Sequence, residues 1–357
     1  MKFYKNKKIL ITGNTGFKGS WLSLILFSFG SKIIGYSDKK PEKNSLLKKE
    51  WIKKNIVQYY NKIENYTLLE SVIQNEKPDF IFHLAAQPLV LESYKYPFQT
   101  FQTNVIGTLN LLEIIKKINK NIATIVITTD KVYSNEVKRD QKEDNKLEGI
   151  DPYSSSKICA EHIAKSYSNL GIKVITARAG NIIGGGDWSN NRIVPDIIRS
   201  YIQHKPITIR NPSFTRPWLY VLDALEGYLL LGKRLYQIKS KSYFNSFNLS
   251  PDDKKKYNVL DLTKKFLAHL NKNQYLYCNN NYGKENKYLS LNSNKIKKFV
   301  NWRAKTKFDQ AVEHTAKWYL YNNTSANLSY SEKHISEYFN IDKKFNNNIN
   351  YQETKHA

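Results

Sequence analysis

Cysteine is scarce in this sequence. The 357 residues include two, Cys159 and Cys278, which lie far apart and lack the CxxC spacing of metal-binding pairs. A disulfide framework and a structural zinc site both need more cysteines at closer spacing. We therefore expect neither, and we predict no metal site.

Long apolar runs are also missing. The first residues, MKFYKNKKILITG, are charged and carry few apolar side chains before the glycines. A signal peptide or a membrane span needs a longer apolar stretch. The sequence thus predicts a cytoplasmic protein without a membrane partner.

Acidic residues are few, 31 against 56 Lys and Arg, so the formal net charge is +25. A strongly basic chain suggests nucleic acid or an anionic membrane as a partner. The lysines are scattered among Asn and Tyr, however, and we find no RNP-like aromatic strand or helix-turn-helix pattern. A solvated basic surface is the favoured interpretation, and we expect no nucleic-acid partner.

Apolar strand-like runs alternate with amphipathic helical stretches in the first half of the chain. Strand, helix and strand in this order form βαβ units, which build a parallel sheet with helices on both faces. The predicted fold class is α/β, a doubly wound parallel sheet of the Rossmann type followed by a smaller mixed α/β region. The strand-like runs are KKILIT (7–12), SKIIGY (31–36), DFIFHLAA (79–86), ATIVITT (123–129) and KVITARAG (173–180).

The composition changes after residue 180, where Gly-, Asn- and Pro-rich loops surround short helices. We predict a dinucleotide-binding domain at 1–183 and a substrate region at 184–323, with about 218–250 packing back on the sheet. Residues 324–357 are polar and rich in Asn and Lys, which predicts a loosely ordered tail.

A glycine-rich turn follows the first predicted strand and opens the first predicted helix. Glycines allow a tight turn and a close backbone approach, and a helix N-terminus offers free N–H groups to a pyrophosphate. In this setting the GxxGxxG spacing predicts a dinucleotide site. Its residues are Gly13, Thr15, Gly16, Phe17, Lys18 and Gly19.

The end of the second strand bears on the choice of cofactor. An acid there usually selects NAD over NADP. The segment reads Tyr36-Ser37-Asp38, with Asp38 one residue beyond the usual position. We predict NAD as the cofactor.

Tyr153 and Lys157 form a YxxxK pair at the start of the helix that follows strand 123–129. Positions i and i+4 share one face of a helix. We expect Lys157 to lower the pKa of the phenol, so that Tyr153 exchanges a proton with a sugar hydroxyl near neutral pH. The YxxxK pattern also occurs elsewhere in this Tyr- and Lys-rich chain, so its position beside the sheet carries the prediction.

Asp130 and Lys131 stand side by side directly after the same strand, in TTDKVY. Such a pair is most often a solvated surface pair. Its location at the end of a strand beside the predicted cofactor favours a chemical role instead.

These motifs together resemble the extended short-chain dehydrogenase/reductase family. The resemblance covers about residues 7–320 and is strongest to nucleotide-sugar 4,6-dehydratases, which generally have Thr-Asp-Glu after this strand. The members that act on CDP-glucose have Thr-Asp-Lys, as here. The motifs are TGxxGFxGS at 12–20, HLAAQ at 83–87, AGNIIGGGDW at 179–188 and RNPSFTRPWLYVLDAL at 210–225.

The resemblance implies an internal redox cycle on CDP-glucose: oxidation at C4, loss of water from C5 and C6, and return of hydride to C6. Tyr153 would take the C4 hydroxyl proton while Thr129 holds that oxygen. Asp130 would be the acid at C6. Lys131 would replace the usual glutamate, either as the C5 base with a lowered pKa or as a charged stabiliser of the enolate.

The resemblance also implies binding residues. The cofactor contacts would include Leu84, Ala85, Ala86, Asn104, Tyr153 and Lys157, and the substrate contacts Gln87, Asn181, Arg192, Arg210 and Arg216. Two positions depart from the family pattern: Leu91 stands where an arginine is expected, and Lys62 where an acid is common. His83, inside FIFHLAA, is predicted to be a core residue without a catalytic role.

Family members pair through two helices, here 103–118 and 154–170, so the resemblance implies a homodimer. Two alternative functions remain open at this stage. One is a 4,6-dehydratase for another base, such as dTDP or UDP, and the other is a nucleotide-sugar 4-epimerase, which needs only the Thr, Tyr and Lys set.

Overall fold

The structure is a computed structural model, and it describes residues 2–134, 139–239, 243–271, 275–278, 287–321 and 324–341. Its first half alternates strands and helices and contains the five predicted strands, with β3 (Ile56–Tyr60) as a further strand that was not predicted. The elements are β1 (Lys8–Thr12), α1 (Phe17–Ser28), β2 (Lys32–Ser37), α2 (Lys49–Asn55), β3 (Ile56–Tyr60), α3 (Tyr66–Glu76), β4 (Phe80–His83), α4 (Val90–Lys95), α5 (Pro97–Phe101), α6 (Gly107–Ile118), β5 (Ala123–Thr129), α7 (Pro152–Asn169) and β6 (Val174–Ala179).

The second half has shorter strands. Its elements are β7 (Ile182–Ile183), α8 (Ile193–Ile202), β8 (Ile207–Arg210), β9 (Thr215–Arg216), β10 (Leu219–Tyr220), α9 (Val221–Gln237), β11 (Ser246–Leu249), β12 (Tyr257–Asn258), α10 (Val259–His269), β13 (Tyr275–Cys278), α11 (Asn294–Val300), α12 (Phe308–Leu320) and α13 (Thr324–Phe339).

Seven of the described strands form one parallel sheet in the order β11-β6-β5-β4-β1-β2-β3. The strand order reverses between β1 and β4, where Thr12 pairs with His83. Ligands of doubly wound folds bind at such a reversal, beyond the carboxyl ends of the strands. The predicted fold class is confirmed, and the predicted site residues follow the strands at this edge.

Helices cover both faces of the sheet because the strands are apolar on both sides. One face packs on side chains of α1 and α9, such as Trp21 and Leu225. The other packs on α3 and α6, through residues such as Val72 and Leu111. The central strands are thereby shielded from solvent and hold their carboxyl ends in fixed positions.

The prediction of a loosely ordered tail from 324 onward is wrong for the first part of that segment. Residues Thr324–Phe339 form α13. This helix is anchored by Ile335, which is buried, and by the hydroxyl of Tyr338, which donates to Asp223 (2.6 Å) and Glu226 (3.0 Å). The remainder of the predicted tail, from 342 onward, lies outside the described residues.

Candidate functional site

A cavity of about 750 Å³ lies at the reversal of strand order. This volume is within the range of small-molecule and cofactor sites, about 300–1,000 Å³. Its walls come from the turn after β1, the ends of β2, β4 and β5, the start of α7, and the segment from 179 to 196. The cavity therefore brings together parts of both predicted regions.

The glycine turn forms one end of the cavity. Gly13 has φ +73°, and a Cβ there would lie 2.9 Å from the backbone nitrogen of Ala85; a Cβ on Gly19 would lie 2.1 Å from the carbonyl oxygen of Gly13. Both positions thus require glycine. The first N–H groups of α1 have no acceptor within the helix and can hold a pyrophosphate. All the predicted turn residues line the cavity: Gly13, Thr15, Gly16, Phe17, Lys18 and Gly19.

The turn is tied to the neighbouring strands by Asn14. Its amide oxygen accepts from the hydroxyl of Ser37 (2.8 Å), and its amide nitrogen donates to Gln58 (2.7 Å). Asp38 follows directly, exposed on the cavity wall. A carboxylate at this place fits a ribose hydroxyl of NAD.

The loop after β4 divides into residues that line the cavity and residues that support it. Leu84, Ala85 and Ala86 line it. Asn104 does not: its side chain bonds both the N–H (2.9 Å) and the carbonyl (3.1 Å) of Gln87. Asn104 lies in a π-helical segment, Gln102–Ile106, a distortion often found near functional sites.

Gln87 does not line the cavity either, and its contact with substrate stays a prediction. Its side-chain nitrogen donates to the carbonyl of Leu89 (3.1 Å) and to the hydroxyl of Thr100 (2.9 Å). Its side-chain oxygen accepts from the N–H of Leu89 (2.6 Å). These bonds leave Gln87 a role in shaping the loop. The departures Lys62 and Leu91 both line the cavity.

Tyr153 lies in the first turn of α7, which Asp151 caps by accepting from the N–H of Ser154 (2.9 Å). Its phenol is buried and hydrogen-bonded to Thr129. Burial raises the pKa of Tyr153 to about 12, against smaller lowering effects of Thr129 and of the positive charge of Arg192. The predicted lowering of this pKa by Lys157 is therefore not seen.

Lys157 lines the same wall, and its ammonium donates to the carbonyl of Ile127 (3.1 Å). Burial lowers the pKa of Lys157 to about 8, with Glu161 opposing the effect. The ammonium of Lys157 thus lies on the same wall as Tyr153, and it donates its hydrogen bond to β5.

Thr129 connects Tyr153 to Asp130, because its hydroxyl donates to Oδ1 of Asp130 (3.2 Å). Asp130 is 1% exposed and does not line the cavity. Its Oδ2 is buried without a hydrogen-bond partner in the described part of the chain, close to Gly180 where Pro217 crosses. This carboxylate is therefore separated from the cavity by Thr129, although the sequence predicted that it acts on the sugar.

Lys131 does line the cavity, with a side chain 20% exposed. Its Nζ lies 3.6 Å from Oδ1 of Asp130. The pair is therefore a partly buried ion pair beside Tyr153, and the surface-pair interpretation is wrong.

The predicted substrate residues after β6 line the opposite wall. Asn181 has a buried Oδ1 that lacks a hydrogen-bond partner among the described residues. Arg192 pairs with the buried Asp187 (3.1 Å), and Arg210 donates to the carbonyl of Asn191 (2.9 Å). The fourth residue of this wall is Arg216, which is 4% exposed.

Sequence reasoning missed a buried pair behind the site, Glu161 and Arg178. The guanidinium forks onto the Glu161 carboxylate (2.8 and 3.0 Å from Nε) and also donates to the hydroxyl of Tyr133 (2.7 Å). Thr128 donates to Glu161 (2.6 Å). The network thus holds both ends of the segment 128–133. One signal was present in the sequence: Glu161 follows Lys157 by four residues, on the same helix face.

His83 is buried, as predicted for a core histidine. Its ring nitrogens bond the hydroxyls of Thr12 (2.8 Å) and Thr108 (3.1 Å). Within the described ranges, no cluster of three or more His, Cys, Asp or Glu is placed to hold a metal ion. None of the helices in those ranges has the length and apolar character needed to cross a membrane.

A doubly wound sheet with a glycine turn at the strand reversal, and a Tyr–Lys pair on the helix facing that turn, defines the short-chain dehydrogenase/reductase class of dinucleotide-dependent proteins. Within this class, the model of the GDP-mannose 4,6 dehydratase family matches residues 10–315. The chain belongs to this family.

Relatives of known name agree with this assignment. The chain is 35% identical to the CDP-glucose 4,6-dehydratase of Salmonella typhimurium, over 94% of this chain and 97% of that protein. It is 27% identical to the UDP-glucose 4-epimerase of Mycoplasma genitalium, over 72% and 81% of the two chains. The crystal structure of the dTDP-glucose 4,6-dehydratase of Bacillus anthracis, in complex with NAD, superimposes with a TM-score of 0.76 at 26% identity, over 89% and 97%.

Proposed function

We propose that this protein is an NAD-dependent 4,6-dehydratase that converts CDP-glucose to CDP-4-keto-6-deoxyglucose. The observation that carries the proposal is the Asp130–Lys131 ion pair beside Tyr153, because elimination of water needs an acid and a base in addition to the groups that oxidise C4. The 35% identity to a CDP-glucose 4,6-dehydratase supports the choice of base.

The residues present fit NAD. The glycine turn leaves room for a pyrophosphate at the start of α1, and Asp38 directly follows β2, where it would bind a ribose hydroxyl. When bound, NAD would supply the site that accepts a hydride from C4 and returns it to C6. Tyr153 and Lys157 would border its nicotinamide end.

The side chains divide the proton transfers. Tyr153 takes the C4 hydroxyl proton, and Thr129 fixes its position. Lys131 reaches the cavity and acts at C5. When the proton of the ion pair lies on Asp130, the neutral Lys131 amine takes the C5 proton and the Asp130 carboxyl protonates the C6 hydroxyl, which leaves as water and restores the ion pair. A Lys131 that stays charged would instead stabilise the enolate. The carbonyl formed at C4 acidifies C5 and makes this elimination possible.

The experiment that tests the function presents CDP-, dTDP-, UDP- and GDP-glucose separately to the purified protein with NAD⁺. We expect loss of one water by mass from CDP-glucose alone. Water loss from another nucleotide only would keep the reaction and overturn the base. Formation of a galactose epimer without water loss would favour a 4-epimerase.

We further propose that the protein is a homodimer that works in the cytoplasm, where nucleotide sugars are made. Large apolar side chains are exposed next to α6: Phe98 (67%), Phe101 (37%) and Ile106 (43%). An exposed apolar patch of this kind marks a contact surface. A second copy of the chain, pairing through α6 and α7, is the partner we infer.

A further inference from the structure

Lys18 belongs to the glycine turn, whose backbone we propose to hold the cofactor. That role leaves the function of the Lys18 side chain open. The residue lies in the first turn of α1 and reaches into the cavity. Within the part of the chain that the structure describes, its ammonium has no hydrogen-bond or ion-pair partner. A partly buried amine that faces a cavity without a partner is suited to an anionic ligand.

The surroundings of the ammonium show which side of the cavity it occupies. Burial and, less strongly, the positive charges of Arg192 and Lys157 together lower the pKa of Lys18 to about 7, against the carboxylate of Asp187. These groups come from α7 and from the segment before α8. Asp38, at the adenosine side of the cavity, is not among them.

Arg192 also acts on Tyr153, whose pKa its charge lowers. Lys18, Arg192 and Tyr153 line the same cavity, and the charge of Arg192 acts on both of the others. In a nucleotide sugar, the diphosphate is attached to the sugar ring on the side away from C4. A sugar placed with C4 at Tyr153 can thus direct its diphosphate to Arg192 and Lys18.

We propose that Lys18 binds the diphosphate of the nucleotide-sugar substrate, across from Arg192, and that it does not serve the pyrophosphate of the cofactor. The backbone of the same turn holds the cofactor, while the side chain serves the substrate. The inference rests on the proposed function for the identity of the ligand.

The chemistry of the two side chains is complementary. Arg192, oriented by Asp187, offers a planar fork to two phosphate oxygens, and Lys18 offers a compact charge to a third. One basic residue on each side of the diphosphate fixes its position. The sugar is thereby held against Tyr153 and Lys131.

The test is Lys18→Met, which keeps the length of the side chain and removes the charge. We expect CDP to bind about 10- to 100-fold more weakly by calorimetry, as for loss of one charged hydrogen bond, and KM for CDP-glucose to rise in proportion. The NAD that is released on denaturation should be unchanged. The matched control is Lys32→Met, because Lys32 is exposed at the amino end of β2. It should leave the affinity for CDP, the KM for CDP-glucose and the amount of bound NAD unchanged.

A second readout is proton uptake. The anion should raise the pKa of Lys18 from about 7, so that the wild-type protein takes up a proton when CDP binds near pH 7.5. Calorimetry in two buffers of different ionisation enthalpy measures this uptake, and it should disappear in Lys18→Met. Lys18→Arg, which keeps the charge, should retain most of the affinity for CDP.

The inference would be overturned if Lys18→Met lost bound NAD but kept its affinity for CDP. It would also be overturned if Lys18→Met matched the wild type in both bound NAD and affinity for CDP. The proposed function can fail separately. If no glucose nucleotide loses water but Lys18→Met still weakens the binding of CDP, UDP, dTDP or GDP, the inference on Lys18 stands. Binding of none of the four diphosphates by the wild-type protein would end it.

Discussion

At the scale of single residues, Thr129 links Tyr153 to the Asp130–Lys131 pair. It is hydrogen-bonded to Tyr153 and donates to Asp130, which is in turn paired with Lys131. The groups that we propose for C4 oxidation and for elimination of water are therefore linked through Thr129. A change at one of them can stop one half of the reaction and spare the other.

Lys131→Ala should separate the two halves. Oxidation at C4 keeps Tyr153 and Thr129, so enzyme-bound NADH should still form on addition of CDP-glucose. Exchange of the C5 hydrogen with solvent deuterium should fall about 10²- to 10⁴-fold, the usual contribution of a positioned acid or base. Deuterium incorporation by mass spectrometry measures it, with Lys142→Ala, on an exposed loop, as control. Wild-type exchange in Lys131→Ala would exclude Lys131 from this step.

Lys157→Met should stabilise the protein while it abolishes activity. A pKa lowered from 10.5 to about 8 corresponds to about 3 kcal/mol of unfavourable burial, of which about 1 kcal/mol is regained through the bond to Ile127 that Met lacks. The gain in unfolding free energy at pH 7 should therefore be about 2 kcal/mol.

The sign of the pH dependence follows from the same pKa. Between about pH 8 and 10.5 the unfolded chain holds the Lys157 proton and the folded chain does not, so wild-type stability gains from rising pH. The advantage of Lys157→Met should shrink across this window. Urea unfolding at pH 7 and pH 9.5 checks this, with the exposed Lys165→Met on the same helix as control. A destabilised Lys157→Met at pH 7 would show that the ammonium is better compensated than its pKa indicates.

Residue types and spacing predicted many of the residues that line the site, but they did not predict that Asp130 is buried. Strand ends beside a glycine turn were enough to place Tyr153, Lys157 and Lys131 on one cavity. Asp130 Oδ2 lies against Gly180, and so does Pro217, which comes from a distant loop. Such a contact leaves no local pattern in the sequence.

At the scale of elements, β5, β6 and α7 are joined by the Glu161–Arg178 network. Both side chains are almost fully buried, and burial opposes the charge of Arg178 while Glu161 raises its pKa above the ordinary value. The network fixes the strand that ends in Thr129 against the helix that begins with Tyr153. It therefore holds Thr129 and Tyr153, the proposed catalytic groups, in a fixed relative position.

Glu161→Leu should cost about 3–5 kcal/mol of unfolding free energy, because it leaves the Arg178 charge buried without its partner. The double variant Glu161→Leu/Arg178→Met should be more stable than Glu161→Leu, since it removes the isolated charge as well. Urea denaturation of both variants and of Arg178→Met measures the coupling. A double variant that loses the sum of the two single losses would show that the pair is not coupled.

The sequence predicted α6 and α7 to within a few residues, but it missed α13. The sequence of α13 is polar, and its helical state depends on packing against α12 and on bonds from Tyr338 to α9. Tertiary contacts of this kind override a composition that by itself favours disorder.

At the scale of the whole molecule, the exposed apolar side chains of α5 and the π-helical segment form the surface on which a second copy is expected. Phe98→Lys should shift the protein to a monomer, because a charge at the centre of an apolar interface has no partner. Size-exclusion chromatography with light scattering gives the mass. The control is Val57→Lys, which places the same charge on another exposed apolar residue, in β3. A wild-type monomer at assay concentrations would contradict the proposal.

The internal redox cycle is the central claim, and transfer of a labelled hydrogen tests it most directly. The substrate is CDP-glucose with deuterium at C4, incubated with the protein and NAD⁺ in ordinary water. The account predicts a 4-keto-6-deoxy product that carries the deuterium in its C6 methyl group. Deuterium returned to C4 of an epimer, or a methyl group without deuterium, would contradict it.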